Sequence, residues 1–252
     1  MTQITHTLKE WQTIRKAFKQ NSIGFVPTMG NLHKGHESLL IRAKAENPIT
    51  VLSIFVNPTQ FDDPEDFKNY PQTLEKDLKI AKKLAVDFVL IPKKEDLYPD
   101  NYRYLVKETH FSHTLCGKSR PGHFEGVLTI VLKLLLLVKP TSVYFGEKDF
   151  QQLELVKGMV QAFFLDINVV PCPTIRDING LALSSRNQRL SKEQYQLALE
   201  FPRLLHSTLT NQEILARLTQ LGFVVDYIEE HQGRRLGAVR IGEVRLIDNA
   251  LI

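Results

Sequence analysis

Short apolar runs alternate with amphipathic stretches along the first two thirds of the chain. Ile23 to Val26, Ile49 to Val56, Val86 to Ile91, Ser142 to Phe145 and Ile167 to Val170 have the length and composition of strands. Between them, His36 to Glu46, Thr73 to Leu84, Gly126 to Val138 and Phe150 to Phe164 carry helical patterns. The alternation predicts an α/β fold: a Rossmann-like parallel sheet with helices on both faces, which binds ligands beyond the carboxyl ends of its strands. Further on, Ser191 to Leu209 reads as an amphipathic helix capped by Ser191. Phe223 to Glu229 and Val244 to Ile247 read as strands of a small C-terminal α+β domain. The expected division is a Rossmann-like domain over residues 1–175 and a small domain over 176–252.

The most apolar segment, Val127 to Val138, contains Lys133 and falls short of the roughly 20 residues needed to cross a bilayer. It reads as a buried helix stopped by Pro140, and no membrane association is expected.

Candidate chemistry falls at the strand ends. After Val26 comes Pro27-Thr28-Met29-Gly30-Asn31-Leu32-His33-Lys34-Gly35-His36. Gly30 permits a tight turn, and a helix beginning near Leu32 leaves backbone N–H groups facing outward, where phosphate is usually held. His33 and His36 share one helix face and can aim donors at one anion, with Gly35 between them leaving space for a nucleotide. A His-x-x-His pair equally ligates a metal or caps a helix. The preceding strand, the turn glycine and the Pro-Thr-Met-Gly lead-in favour phosphate.

After Val56, the loop Asn57-Pro58-Thr59-Gln60-Phe61 presents two amides suited to a neutral or hydroxylated substrate. After Phe145, Gly146-Glu147-Lys148-Asp149-Phe150-Gln151-Gln152 opens with a turn glycine, offers Lys148 as a point charge and brings Gln152 about one turn later. A solvated helix N-terminus explains Lys148 and Asp149 as well. After Val170 and the run Pro173 to Arg176 comes Leu183-Ser184-Ser185-Arg186-Asn187. Its hydroxyls and arginine make a triphosphate clamp, or equally a loop with a helix cap.

Composition narrows the class. A chain of 252 residues with 43% hydrophobic residues can bury a substantial core. The net charge of +4 suits a polyanionic ligand, but the Lys and Arg residues are dispersed, so a nucleotide triphosphate suffices and nucleic acid is not expected. Cys116 and Cys172 are too few for a disulfide framework, and the first residues lack a charged-then-apolar signal pattern. A cytoplasmic protein is expected.

Jointly these segments resemble the pantothenate synthetase family, the pantoate–β-alanine ligases of the nucleotidyltransferase group with the His-x-Gly-His signature. The resemblance runs from about Gly24 to Asn187, through Pro27 to His36, Ser53 to Phe61, Tyr70-Pro71, Arg120 to Val127, Gly146 to Gln152 and Leu183 to Asn187. It resumes at Arg245-Leu246-Ile247-Asp248-Asn249.

The resemblance implies ATP-dependent ligation of pantoate and β-alanine to pantothenate through a pantoyl adenylate, releasing pyrophosphate and AMP. It implies catalytic roles for His33, His36, Lys148 and Arg186, with His36 as the proton donor. ATP contacts fall to Met29, Gly30, Asn31, Leu32, His33, Lys34, Gly35 and His36, then to Gly146, Glu147, Lys148, Asp149 and Ile175, and to Leu183, Ser184, Ser185 and Arg186. Within that set, Gly146 and Ile175 correspond to adenine and ribose contacts. Gln60 and Gln152, with Asn57 beside them, correspond to the pantoate site. Mg2+ is expected on the ATP phosphates, since small divalent ions bind largely through substrate oxygens, and no protein ligand for it is identified.

The family also implies a homodimer and a C-terminal domain that closes as a lid. The Arg120 to Val127 block and the apolar helix after it could contribute to the dimer, although core packing explains that helix equally. Here the segment between Asn187 and Tyr227 is shorter than the usual pattern, and the later strand region is compressed around Gly233 to Gly242. The acidic loop from Phe61 to Tyr70 is a candidate cover for the reactive acyl group, or simply a solvated loop.

Three other readings share the first motif. Another His-x-Gly-His nucleotidyltransferase has no need of Gln60 and Gln152 at these positions. A class I aminoacyl-tRNA synthetase fragment would carry a Lys-Met-Ser-Lys-Ser loop where this chain has Leu183-Ser184-Ser185-Arg186. A catalytically silent nucleotide-binding relative would bind ATP without turnover.

Overall fold

The computed structural model describes residues 2–18 and 21–252. Six strands form one sheet: β1 (Gln3–Thr5), β2 (Ile23–Thr28), β3 (Ile49–Ile54), β4 (Phe88–Leu90), β5 (Ser142–Gly146) and β6 (Asn168–Cys172). Their order is β1-β4-β3-β2-β5-β6, and every neighbouring pair is parallel. Around it lie helices α1 (Leu8–Ala17), α2 (Lys34–Glu46), α3 (Pro64–Lys68), α4 (Leu74–Lys83), α5 (Lys94–Leu97), α6 (Leu115–Ser119), α7 (His123–Val138) and α8 (Phe150–Ala162). The C-terminal part carries α9 (Lys192–Ala198), α10 (Glu200–Leu205), α11 (Asn211–Gln220) and an antiparallel meander of β7 (Val224–His231), β8 (Arg234–Ile241) and β9 (Val244–Leu251).

The central strands read as continuous apolar runs because both of their faces are buried. Phe25, Val51 and Val143 point into a core shared with Trp11, Leu128, Leu135 and Leu153 of α1, α7 and α8. Their neighbours Val26, Leu52 and Tyr144 point the other way, against Leu40 of α2 and Ala81 of α4. Each such large apolar side chain contributes about 1.5–3 kcal/mol by leaving water. The small sheet divides in the same manner. Leu236 and Ala238 of β8 join the main core, while Val239 and Ile241 pack with Phe201, Leu205, Ile214 and Leu218 of α10 and α11.

Several boundaries differ from the sequence expectation. Ser191 to Leu209 is two helices, because Pro202 has no N–H to offer Ala198 and the helix breaks at Leu199. The stretch 233–242, where the later strand region reads as compressed in sequence, holds the eight-residue central strand β8, entered through Gln232-Gly233 with positive φ at both residues, as a tight hairpin turn requires. Neither β1 with α1 nor α11 was marked by the hydrophobic pattern. Among the described residues, no helix is long and apolar enough to cross a membrane.

Candidate active site

A crevice opens in the sheet between β2 and β5. β2 and β3 stay paired from Ile23 with Ile49 to Thr28 with Ile54, whereas β2 and β5 pair only at Gly24 with Ser142 and Phe25 with Val143. The backbone supplies the reason. Ile23 O accepts from Thr141 N–H on the β5 side, and Thr28 O accepts from Phe55 N–H on the β3 side. Backbone groups alternate sides along a strand, so residue 27 faces β5, and Pro27 has no N–H to give. Chain connections diverge at the same point, β2 passing through α2 to β3 and β5 through α8 to β6. This is the switch point at which open α/β sheets bind ligands.

The turn after β2 sets the two histidines. Gly30 and Asn31 have φ of 82° and 50°, the left-handed region that glycine and asparagine tolerate best. Asn31 N–H and Leu32 N–H donate to Asp77 at 2.9 and 2.8 Å. α2 then starts at Lys34, between the turn at Leu32 and the His36 from which the helical pattern is read, with His33 as its cap: His33 Nδ1 accepts from Gly35 N–H at 3.1 Å, and His36 Nδ1 accepts from His33 N–H at 3.4 Å. Each ring accepts at Nδ1, so its neutral form carries the proton on Nε2, the atom free to donate. The rings lie 4.1 Å apart between centroids. Burial, then the neighbouring Lys148, pushes His33 down to about 4. Burial, then His33 and Lys148, pushes His36 down to about 3. At neutral pH both are uncharged donors.

Two cavities meet over the crevice. One, of about 230 Å3, is lined by His33, His36, Gln60 and Gln152 and by the apolar side chains of Phe55, Val127 and Val131. The other, of about 370 Å3, is rimmed by Arg120, Arg186, Arg189, Arg245, Asp62 and Asp66. Lys148, Asp149, Ser184 and Arg186 line both. The first chamber joins hydrocarbon walls to amides; the second is a charged basin.

Gln60 is held from three directions. Its Oε1 accepts from Asn57 Nδ2 at 3.1 Å, which leaves its amide N–H groups as the donors for the chamber. Its carbonyl accepts from His123 Nδ1 at 2.7 Å and from Arg120 at 3.2 Å, and Arg120 also bridges Asp62. Gly126 lets α7 approach the turn at 58–60, since a Cβ there would lie 2.3 Å from Thr59 O. Asn57 is itself buried, with Nδ2 donating to Gln60 and Gly126 and Oδ1 accepting from Thr59 and Tyr98. Its side-chain hydrogen bonds are all made within the protein, and it lines the chamber beside the Gln60 amide that it holds.

The C-terminal part fixes the opposite wall. Asn249 Nδ2 donates to the carbonyls of Glu147 and Lys148, pinning the turn that presents Lys148. Ser184 accepts from Arg186 N–H, the capping arrangement left open by the sequence. Ser185, also on the chamber wall, donates to Asn31 O. Arg186 and Arg189 each bond one oxygen of Asp66, on α3 in the loop 61–70.

Most of the expected residues meet at this crevice: Met29, His33, Gly35, His36, Gly146, Lys148, Asp149, Ile175, Leu183, Ser184, Ser185 and Arg186 line it, as do Asn57, Gln60 and Gln152. Five expected ATP contacts are placed elsewhere. Asn31 and Leu32 are buried with their N–H groups turned inward to Asp77, and Gly30 N–H bonds Thr28 Oγ1. Lys34 is exposed and pairs with Glu37, and Glu147 pairs with Arg234. Gly35 makes room for the His33 ring, since a Cβ would lie 2.8 Å from it. Asp77, Asp66 and Arg189 have partners remote in sequence, and the local signals for the two carboxylates are only the acidic first turns of α4 and α3. No cluster of three or more His, Cys, Asp or Glu placed to hold a metal is found among the described residues.

Known proteins carry the same architecture. The family profile described as Pantoate-beta-alanine ligase matches residues 3–251. A pantothenate synthetase of Coxiella burnetii is 55% identical over 249 residues, covering 99% of this chain and 96% of the relative. One from Legionella pneumophila is 52% identical over 251 residues, covering 99% and 100%. A crystal structure of the Francisella tularensis pantoate-beta-alanine ligase, complexed with beta-gamma ATP and beta-alanine, matches with a TM-score of 0.95 at 43% identity, covering 100% of this chain and 98% of that one. A pantothenate synthetase from Thermus thermophilus matches with a TM-score of 0.90 at 38% identity, covering 99% of each. These matches extend through the C-terminal part, so the shortening expected there does not separate the chain from these relatives. Profile, sequence and fold agree along the whole length, and the chain belongs to the pantoate–β-alanine ligase family.

Proposed function

We propose that this crevice carries out the family's ATP-dependent ligation of pantoate and β-alanine in two steps, with the residues in the following roles. A pantoate carboxylate oxygen attacks the α-phosphorus of ATP; the new P–O bond forms as the bond to the β-phosphate oxygen breaks, and pyrophosphate leaves. The β-alanine amine then attacks the acyl carbon, the C–N bond forms, the C–O bond to phosphate breaks, and AMP departs. The amine sheds its surplus proton to solvent.

The observation that carries this reading is the position of Lys148 in the wall common to both cavities. A carboxylate held in the amide-lined chamber and a triphosphate lying in the basic basin would meet beside it. Phe55, Val127 and Val131 suit the branched hydrocarbon of pantoate, while Gln60 and Gln152 suit its hydroxyls. His33 and His36 offer Nε2–H donors to the reacting phosphate, with His36 the proton donor to charge developing there. Lys148 and Arg186, with Ser184 and Ser185, hold the triphosphate and departing pyrophosphate; Gly146 and Ile175 flank the nucleoside. Catalysis of such a displacement rests on positioning and electrostatics.

Mg2+ fits this donor set as an ion carried largely by phosphate oxygens, with Asp149, on the common wall, as its carboxylate. It would supply neutralisation of phosphate charge. The division into a catalytic unit over 1–175 and a lid over 176–252 falls between β6 and α9. The buried, unpaired thiols Cys116 and Cys172 support a cytoplasmic, reducing setting. A homodimer is proposed from the family resemblance.

The test is pyrophosphate exchange into ATP with purified protein, Mg2+ and pantoate, first without β-alanine. Pantoate-dependent exchange, followed by AMP release when β-alanine is added, is the expected result. Folded, ATP-binding protein with neither exchange nor AMP would overturn it.

A further inference from the structure

Asp77 is 1% exposed, and among the described residues no Lys, Arg or His pairs with it. A lone buried carboxylate is costly unless its oxygens are filled with hydrogen bonds. Its donors are Asn31 N–H, Leu32 N–H and Thr73 Oγ1, the last at 3.2 and 3.3 Å from its two oxygens. The two peptide groups belong to the left-handed turn at Gly30 and Asn31, and a Cβ on Gly30 would lie 3.0 Å from Asp77 Oδ2. The N–H pair that could have faced a phosphate is thus taken up by a carboxylate from α4.

We infer that Asp77 is a positioning residue for the histidine pair, acting through the backbone on the tautomer of His36. Leu32 N–H is fixed by Asp77, and the next N–H, that of His33, donates to His36 Nδ1. With this donor in place the His36 proton sits on Nε2, the atom proposed to meet the phosphate. Without the carboxylate, the N–H groups of Asn31 and Leu32 lose their acceptor; Thr73 reaches only the Asn31 side chain and Ser185 only Asn31 O, so neither fixes these N–H groups. The His33 N–H then drifts from the His36 ring, and both tautomers populate.

The inference rests on the proposed roles of the histidines, but one arm of its test does not need turnover. In Asp77→Asn one oxygen becomes an NH2 group, so one of the two peptide donors loses its acceptor. Imidazole 15N shifts, assigned by loss of the corresponding signals in His33→Gln and His36→Gln, are expected to move from a single Nε2–H form of His36 towards a mixture. Single-turnover adenylate formation is expected to fall at least tenfold, with KM for ATP and pantoate within threefold of the parent. A parent-like 15N spectrum together with a parent-like rate, in a protein that melts at lower temperature, would reduce Asp77 to a structural group. A changed spectrum with an unchanged rate would uphold the orienting effect and instead overturn the role assigned to His36. Should Asp77→Asn fail to fold, Thr73→Ala, which removes the side-chain donor alone, is expected to lower the rate two- to fivefold and shift the same resonances. An unchanged rate and spectrum there would overturn the inference.

Discussion

Asp66 Oδ2 meets Arg186 Nη2 at 2.7 Å, tying the loop 61–70 to the C-terminal part at the rim of the charged basin. Arg189 takes the other oxygen at 2.8 Å. Burial raises the Asp66 carboxyl, but the two guanidinium groups outweigh it and hold it below the usual carboxylate range. The pair is therefore formed at neutral pH and released only as pH falls through that lowered value. Because Arg186 is also the proposed phosphate contact, Asp66 competes with the nucleotide. Asp66→Asn should tighten ATP binding by about fivefold, roughly the 1 kcal/mol of a partly exposed charge-assisted pair, and less at high salt. Calorimetric titration checks this, and weaker binding by the variant would make Asp66 a support for the site.

Lys148→Ala should slow adenylate formation about a hundredfold, on the order of 3 kcal/mol, by analogy with loss of one preorganised donor to a developing oxyanion. Rapid-quench single turnovers read the step directly. A rate within threefold of the parent would remove Lys148 from the chemistry.

Acid stability should report the buried rings. His33 is held near 4, and His36 and His123 are each held near 3, by burial first and then by Lys148, His33 or Arg120 as neighbours. The unfolded chain takes up these protons near the ordinary value of about 6.5, whereas the folded chain does not until far lower pH. Stability conferred by the neutral rings is thus full above that value and lost as pH falls below it. Between pH 6 and 5, urea unfolding should show uptake of two to three protons, each about 1.4 kcal/mol per pH unit. Uptake of less than one proton would mean that the rings are charged in the folded protein.

What the sequence disclosed follows from how each feature is encoded. β2, β3 and β5 were legible because strands buried on both faces must be apolar throughout, and the glycine-marked turns beyond them located the chemistry. β8 was not, since Arg234, Arg235, Arg240 and Gly237 break its apolar run and its pairing with β7 and β9 supplies the stability. α1 left a readable signal in its Thr7–Glu10 capping box, though its face is mostly polar. The inward turn of the Asn31 and Leu32 N–H groups had no local signal at all: their acceptor lies on α4, more than forty residues away.

Gly126→Ala should test whether α7 sets the pantoate site. Its Cβ would lie 2.3 Å from Thr59 O and 2.7 Å from Gln60 N, both rigid backbone atoms, so the turn at 58–60 must move away. That movement pulls Gln60 O from His123 and Gly126 O from Asn57, the contacts that aim the Gln60 amide. Overpacking of this kind costs about 1–3 kcal/mol of stability. KM for pantoate should therefore rise at least tenfold while the ATP dissociation constant stays within about threefold, because the Lys148 and Arg186 wall is built from other elements. Steady-state kinetics at saturating ATP, with a thermal melt, separates the two effects. A lowered melting temperature with an unchanged pantoate KM would show that Gln60 keeps its aim without the close approach of α7.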